Sequence, residues 1–317
     1  MMQQAGLTAS QLKTEPLSIA SATGQGFLRG DLYWPSSQPL AGLLIVHGMS
    51  EHRKRYDPFA AYLAMRGFLV LTYDQAGHGE SVPDHSQLGF FALKEGDRLI
   101  REDTAAMLAQ LNHRLDARPI FILGHSMGSL IVRDFMAQDQ PMVSGVILTG
   151  TAGPNPALPV GRAVAKLLVK LKGPHHRSVF LDRLLHLGYL SRIANPRTEY
   201  DWLSRDLQRV RAYIEDPLCG YQFTVAALLD MMAWTDRVNK PAWASRIDPE
   251  LPVLLTSGDQ DPVGQYTAGV RKVHDWLKAQ NRPVTLRFYE GARHEILNET
   301  NRLAVHEDLF EWMRQLC

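Results

Sequence analysis

A strand that turns into a helix within one residue needs a backbone free of side chains on both flanks, and Gly124-His125-Ser126-Met127-Gly128 has the composition of such a turn. The apolar run Pro119–Leu123 precedes it, and a helical pattern from Ser126 to Gln138 follows. That order presents the Ser126 hydroxyl at the carboxyl edge of a sheet. It also aims the first amides of the new helix at any oxyanion formed there.

The rest of the chain repeats the strand-then-helix theme. Two amphipathic runs, Leu12–Ala22 and Phe27–Trp34, read as an antiparallel hairpin. Strand patterns follow at Gly42–Val46, Phe68–Tyr73, Pro119–Leu123, Val143–Thr149, Pro252–Ser257 and Val284–Tyr289. Helical patterns cover Asp57–Arg66, Gly96–Arg114, Ser126–Gln138, Gln265–Gln280 and Asn301–Leu316. Continuous apolar strands separated by helices predict an α/β fold with a mostly parallel sheet covered on both faces. Between Thr151 and Leu251 lie about 100 residues, far more than a crossover needs. Helical periodicity recurs there in Val160–Lys172, Phe180–Ile193, Trp202–Ile214 and Phe223–Arg237. The expected organisation is a sheet core in two parts, residues 1–150 and 251–317, with a helical cap at 151–250 inserted between them.

A serine needs a base and an acid that orients the base. In a strand–turn–helix setting of this kind, both follow the serine along the chain, acid first. His274 and His306 sit inside helical patterns and suit packing or surface roles. His294 follows strand Val284–Tyr289 and a short loop, at the same edge as Ser126, and is the candidate base. Two aspartates compete for the acid position, just past strand Pro252–Ser257. Asp261 is favoured because it lies one turn beyond the strand, with Pro262 directing the chain. Asp259 suits a structural hydrogen bond to loop backbone. The oxyanion donors expected are the amide of Met127 and that of Met49, in the loop after the first buried strand. His47 and Gly48 would shape that loop, His78 would satisfy buried backbone in its own glycine loop, and His125 is expected to face away from the site.

These residues resemble a known set. Val46-His47-Gly48-Met49-Ser50-Glu51-His52 with Arg55-Tyr56 resembles the oxyanion loop of monoacylglycerol lipases and related lysophospholipases. Asp74-Gln75-Ala76-Gly77-His78-Gly79-Glu80-Ser81 is similar to that family's glycine–histidine loop. Gly124–Gly128 matches its nucleophile elbow, Gly258-Asp259-Gln260-Asp261 its acid turn, and Tyr289–Glu295 its histidine loop. The resemblance spans Ala41 to Leu316. It implies an α/β-hydrolase fold with a helical lid, a Ser126–Asp261–His294 triad, an acyl-enzyme and no cofactor. By motif position it also favours Asp261 over Asp259. The implied substrates are carboxylic esters of single-chain lipids, monoacylglycerols or lysophospholipids.

Alternatives separate on chemistry. A carboxylesterase for small or aromatic esters would use the same triad, and a ligand-binding homologue would keep the fold without turnover. A proline aminopeptidase would carry a glycine-rich, proline-bearing oxyanion loop in place of His-Gly-Met-Ser. A dehalogenase or epoxide hydrolase needs an aspartate where Ser126 stands. No His-Glu-x-x-His occurs, no Walker-type loop occurs, and the first buried strand is not followed by G-x-G-x-x-G, so neither a metal nor a nucleotide is expected.

A net charge of +1, from 34 basic and 33 acidic residues, gives no global pull toward nucleic acid. Two cysteines, Cys219 and Cys317, exclude a disulfide framework and a Cys-based zinc site. With no signal pattern in Met1–Leu7, the expected location is cytoplasmic. The apolar runs are too short for a membrane span of about 20 residues. Peripheral contact is still open to the chain. In Val160–Leu171, apolar Val160, Val164, Leu167, Leu168 and Leu171 fall on one helical face, beside a basic stripe of Arg162, Lys166 and Lys170. Two roles fit that helix: a cap helix with its apolar face turned inward, or a contact with an anionic lipid surface.

Overall fold

Successive residues of a strand point to opposite faces, so a run that is apolar at every position must be covered on both sides. A computed structural model describes residues 12–317 and shows this directly; the signal reading of Met1–Leu7 lies outside the described residues. All residues of β3 (Ala41–Val46), β5 (Ile120–His125) and β7 (Val253–Gly258) are buried. Leu44 and Val46 join one core layer, and Leu43 and Ile45 join the other.

The sheet has eight strands in the order β1-β2-β4-β3-β5-β6-β7-β8. Besides those three, it contains β1 (Lys13–Ala20), β2 (Phe27–Trp34), β4 (Phe68–Asp74), β6 (Gly145–Thr149) and β8 (Val284–Tyr289). β1 and β2 pair antiparallel, as do β2 and β4, and the remaining neighbours are parallel. Register lines up the carboxyl ends: Val46 opposes Gly124, His125 opposes Thr149, and Gly258 opposes Tyr289. Helices α1 (Asp57–Ala64) and α10 (Arg302–Arg314) cover one face. Helices α2 (Gly96–Asn112), α3 (Met127–Gln138) and α9 (Ala268–Ala279) cover the other. The fold is that of an α/β hydrolase.

Between β6 and β7 lie α4 (Leu158–Lys172), α5 (Val179–Leu185), α6 (Leu207–Glu215), α7 (Val225–Val238) and α8 (Pro241–Ala244). α7 is fused to the main core: Val225, Leu228, Met231 and Trp234 share one apolar cluster with β5 and α3. Trp202, Leu203 and Tyr213 form a smaller cluster of their own.

Several helices are shorter than their periodicity predicts. α9 starts at Ala268 because Gln265, Tyr266 and Thr267 hold left-handed φ of 53°, 52° and 81°. α6 starts after Asp206, whose carboxylate accepts from the Gln208 and Arg209 amides and caps the helix. Its expected first turn, Trp202–Ser204, instead runs past the His294 loop. α5 stops at Leu185, and Gly188 turns the chain with φ of 84°. α4 divides its apolar face between the two roles its sequence allows: Val164 and Leu168 pack against the core, and the rest turn away from it. Its buried residues are the small Gly161 and Ala165, so Val160, Leu167 and Leu171 point outward at 66%, 55% and 69% exposure.

Arg133 of α3 is fully buried with no carboxylate beside it, and burial pulls its pKa down to about 9. It donates to Ala152 O and Thr151 Oγ1 where the chain leaves the core, and to Val238 O and Asn239 Oδ1 where it returns. Its guanidinium also lies 4.4 Å from the Trp243 ring centroid. One side chain thus holds both stems of the inserted helices. Arg133→Leu leaves these acceptors unpaired and is expected to lower unfolding free energy by about 2–4 kcal/mol, read from denaturant midpoints. An unchanged midpoint would mean that the stems hold without it.

Candidate active site

The elbow at Ser126 is set by backbone contact. A Cβ on Gly128 would lie 2.1 Å from Val46 O, and one on Gly124 would lie 2.6 Å from Gly128 O. With that room, Ser126 takes φ 51° and ψ −118°, a conformation side chains rarely adopt, and its amide donates to Thr149 O at 2.9 Å. Ser126 is partly exposed, on the wall of a cavity of about 600 Å³.

His294 and Asp261 meet below that wall. His294 Nδ1 is 3.0 Å from each Asp261 carboxylate oxygen, and both residues are buried. Asp261 also accepts from Ser257 Oγ and the Val263 amide, each at 2.9 Å. Burial alone would raise the Asp261 pKa, but His294 and these donors outweigh it and hold the carboxyl below its ordinary value. The converse holds for His294: burial favours the neutral ring, while Asp261, Glu295 and Glu51 together raise its pKa above the usual histidine value. His294 also lines the Ser126 cavity, and among the described residues its side-chain hydrogen bonds go to Asp261 alone. Asp259 takes a different part, accepting the Gly291 amide at 2.8 Å and so tying the acid turn to the histidine loop.

The oxyanion loop packs against the elbow, since a Cβ on Gly48 would lie 3.1 Å from Ser126 Cβ. The Gly48 amide is taken by Glu51 Oε1 at 2.5 Å. Neither the Met49 nor the Met127 amide has an acceptor among the described residues, and both residues line the cavity. His47 Nδ1 lies 2.8 Å from Gly48 O, and its Nε2 accepts the Gln75 amide, so this ring ties the oxyanion loop to the glycine–histidine loop. His78 Nδ1 faces Ala76 O at 3.2 Å, within the glycine loop.

His125 corrects the sequence expectation. Its ring centroid is 4.7 Å from that of His294, and it lines the cavity. The strand pairing explains this: His125 is the last residue of β5, opposite Thr149, whose Oγ1 lies 2.9 Å from His125 Nδ1. Burial first, then the neighbouring His294, pushes the His125 pKa down to about 3. It therefore stays neutral and does not compete with His294 for a proton.

Sequence reasoning missed the group that joins the two loops. Arg55, its side chain 9% exposed, donates to Glu51 at 3.2 Å and to both oxygens of Glu295 at 2.7 and 2.5 Å. Glu51 also accepts from Tyr56, and Glu295 directly follows His294. The Glu51–Arg55 spacing of four was a visible signal; their partner 240 residues later was not. Sequence reasoning excluded a Cys-based zinc site on the cysteine count alone and so missed a mixed set in which His52 meets Asp216 and Cys219, more than 160 residues later in the chain.

Among the described residues no helix is long and apolar enough to cross a membrane. The chain is 27% identical over 285 residues to the monoacylglycerol lipase of Mycolicibacterium smegmatis, covering 89% of this chain and 91% of that one. It is 29% identical over 291 residues to the monoglyceride lipase of Mus musculus, covering 87% and 83%. A highly thermostable carboxyl esterase from Bacillus coagulans, solved in complex with glycerol, superposes with a TM-score of 0.90 at 29% identity, covering 96% of this chain and 98% of that one. Residues 37–301 match the profile of the Hydrolase_4 family, described as serine aminopeptidase, S33. The chain belongs to that family of serine hydrolases, and ester-cleaving enzymes stand among its relatives.

Proposed function

We propose that the protein hydrolyses carboxylic esters of single-chain lipids, monoacylglycerols or lysophospholipids, through an acyl-enzyme on Ser126. The observation that carries this reading is the cavity at Ser126. Its wall combines Leu130, Leu158, Leu181, Leu228, Met231 and Met232 with polar Asn155, Glu199 and Gln265. The apolar stretch suits an acyl chain and the polar stretch a hydroxylated leaving group, within the usual size of a ligand pocket. In the proposed cycle, His294 takes the Ser126 proton as the hydroxyl attacks the ester carbonyl. The Met49 and Met127 amides hold the oxyanion, and His294 returns the proton to the leaving alcohol. Water then repeats the sequence and frees the acid. Asp261 keeps the His294 ring in the donating orientation. The family's aminopeptidase description is the second reading. Of the carboxylates lining the cavity, Glu51 and Glu295 are engaged by Arg55, while Glu199 has no side-chain partner among the described residues and could receive an ammonium group.

A hydrolysis panel tests the substrate class: acetyl, octanoyl and oleoyl esters of glycerol and p-nitrophenol, lysophosphatidylcholine, and proline p-nitroanilide. The octanoyl and oleoyl glycerol esters are expected to lead, and folded Ser126→Ala to lose several orders of magnitude on all substrates. Preference for the acetyl or p-nitrophenyl esters would favour a small-ester carboxylesterase. Near-wild-type turnover by Ser126→Ala would sink the proposal.

The acid is tested by pH. The base must be neutral, so a raised His294 pKa sets the acid limb of kcat/KM above that of an ordinary histidine. Asp261→Asn removes the main raising group, shifting that limb to lower pH and cutting the rate by about 10⁴. Asp259→Asn is expected to leave the limb in place. The reverse ranking would reassign the acid.

We further propose that α4 meets an anionic lipid surface. The outward Val160, Leu167 and Leu171, with exposed Phe180 and Leu187 nearby in sequence, lie alongside Arg162, Lys166 and Lys170. Replacing the three basic residues with Gln should reduce hydrolysis in anionic vesicles and its salt sensitivity, with no effect on a soluble short-chain ester. Equal effects on both substrates would leave α4 a plain cap helix.

A further inference from the structure

His52, Asp216 and Cys219 lie outside the set of residues lining the Ser126 cavity, at the joint between the oxyanion loop and the inserted helices. One ligating atom from each falls within 4.8 Å of the others. The Asp216-Pro217-Leu218-Cys219 segment is a turn: the Cys219 amide donates to Asp216 O at 3.0 Å, and proline at its second position fixes the chain direction. The Asp216 carboxylate and Cys219 thiol thus leave a preset turn toward the same neighbour. His52 reaches them from the other side, its Nε2 2.8 Å from Asp216 Oδ2. The two sides are further joined where the Gly220 amide and the Tyr213 hydroxyl both donate to Ser50 O, and Ser50 Oγ donates to Tyr221 O. Nearby Arg55 carries one positive charge against Glu51, Glu295 and Asp216, so the surroundings favour a cation.

We propose that His52, Asp216 and Cys219 form a binding site for a thiophilic divalent cation such as zinc. Imidazole nitrogen, carboxylate oxygen and thiolate sulfur are a donor set suited to zinc, and the sulfur disfavours magnesium and calcium. A tetrahedral ion needs its nitrogen and oxygen ligands about 3.3 Å apart, so the His52–Asp216 pair opens by roughly half an ångström. On binding, the Cys219 thiol loses its proton to solvent and forms the sulfur–metal bond. His52 gives up its Nε2 proton, and with it the hydrogen bond to Asp216, and the freed Nε2 lone pair forms the nitrogen–metal bond while the ring's remaining proton sits on Nδ1. Water fills the fourth position, on the side where Asp216 is 28% exposed. The bound ion staples the oxyanion loop to the chain between α6 and α7.

Cobalt(II) titration of the full chain tests the site, because a thiolate ligand gives cobalt a charge-transfer band in the near ultraviolet. Cys317 is the other thiol, free and exposed, so Cys317→Ser serves as the background. Expected is one equivalent of cobalt with a thiolate band in both wild type and Cys317→Ser, displaced by zinc. The band disappears in Cys219→Ser, and affinity falls at least about tenfold in Asp216→Asn, a loss that even outer-shell partners of a metal can cause. Circular dichroism confirms that each variant is folded. A folded wild type with no band, or a band that survives Cys219→Ser, would overturn the site. So would affinity unchanged in Asp216→Asn.

Discussion

The site is organised by how closely the Ser126 elbow approaches β3. Gly128 stands where any side chain would collide with Val46 O, the last residue of the strand that leads into the oxyanion loop. The same contact that forces Ser126 into a left-handed φ therefore brings Gly48 and Met49 beside it. Strain at the serine and closeness of the oxyanion loop share one origin. The local cost, about 1–3 kcal/mol for such a conformation, is carried by a sheet whose strands are buried on both faces around it.

A second constraint keeps the loops in step. Glu51 closes the oxyanion loop through the Gly48 amide, Arg55 bridges Glu51 to Glu295, and Glu295 is covalently next to His294. An ion group this enclosed is weak evidence for stability, since desolvation offsets most of its attraction. Its effect here is positional and electrostatic. It sets the oxyanion loop against the histidine loop, and its surplus negative charge adds to Asp261 in raising the His294 pKa. At His125, 4.7 Å away, burial and the neighbouring His294 outweigh Glu295 and Asp261 and push the pKa down. Two adjacent histidines are thereby driven to opposite protonation behaviour.

The sheet was legible because its signals are local: continuous apolar strands, glycines at Gly124 and Gly128, and loops at strand ends. The positions of Ser126, Asp261 and His294 follow from those strand ends, and the structure brings His294 and Asp261 into contact and His294 to the Ser126 cavity. What was hidden depends on tertiary contact. α4 could not be assigned one role because Gly161 and Ala165 let it approach α7 closely, with Val164 and Leu168 packed inward while Val160, Leu167 and Leu171 face out. α9 lost its first turn to three left-handed residues that periodicity does not register. His125 was misplaced because facing rules for an elbow say nothing of the neighbouring strand that receives the ring. Arg55 with Glu295, and His52 with Asp216, join segments far apart in the chain.

The most direct measurement is an acid quench during turnover of a p-nitrophenyl octanoate ester, followed by peptide mapping by mass spectrometry. The account predicts an octanoyl group on the peptide that contains Ser126, and its absence when His294 is replaced by alanine. An acyl group on any other residue, or active turnover with no trapped acyl-enzyme and no burst of p-nitrophenol, would contradict it.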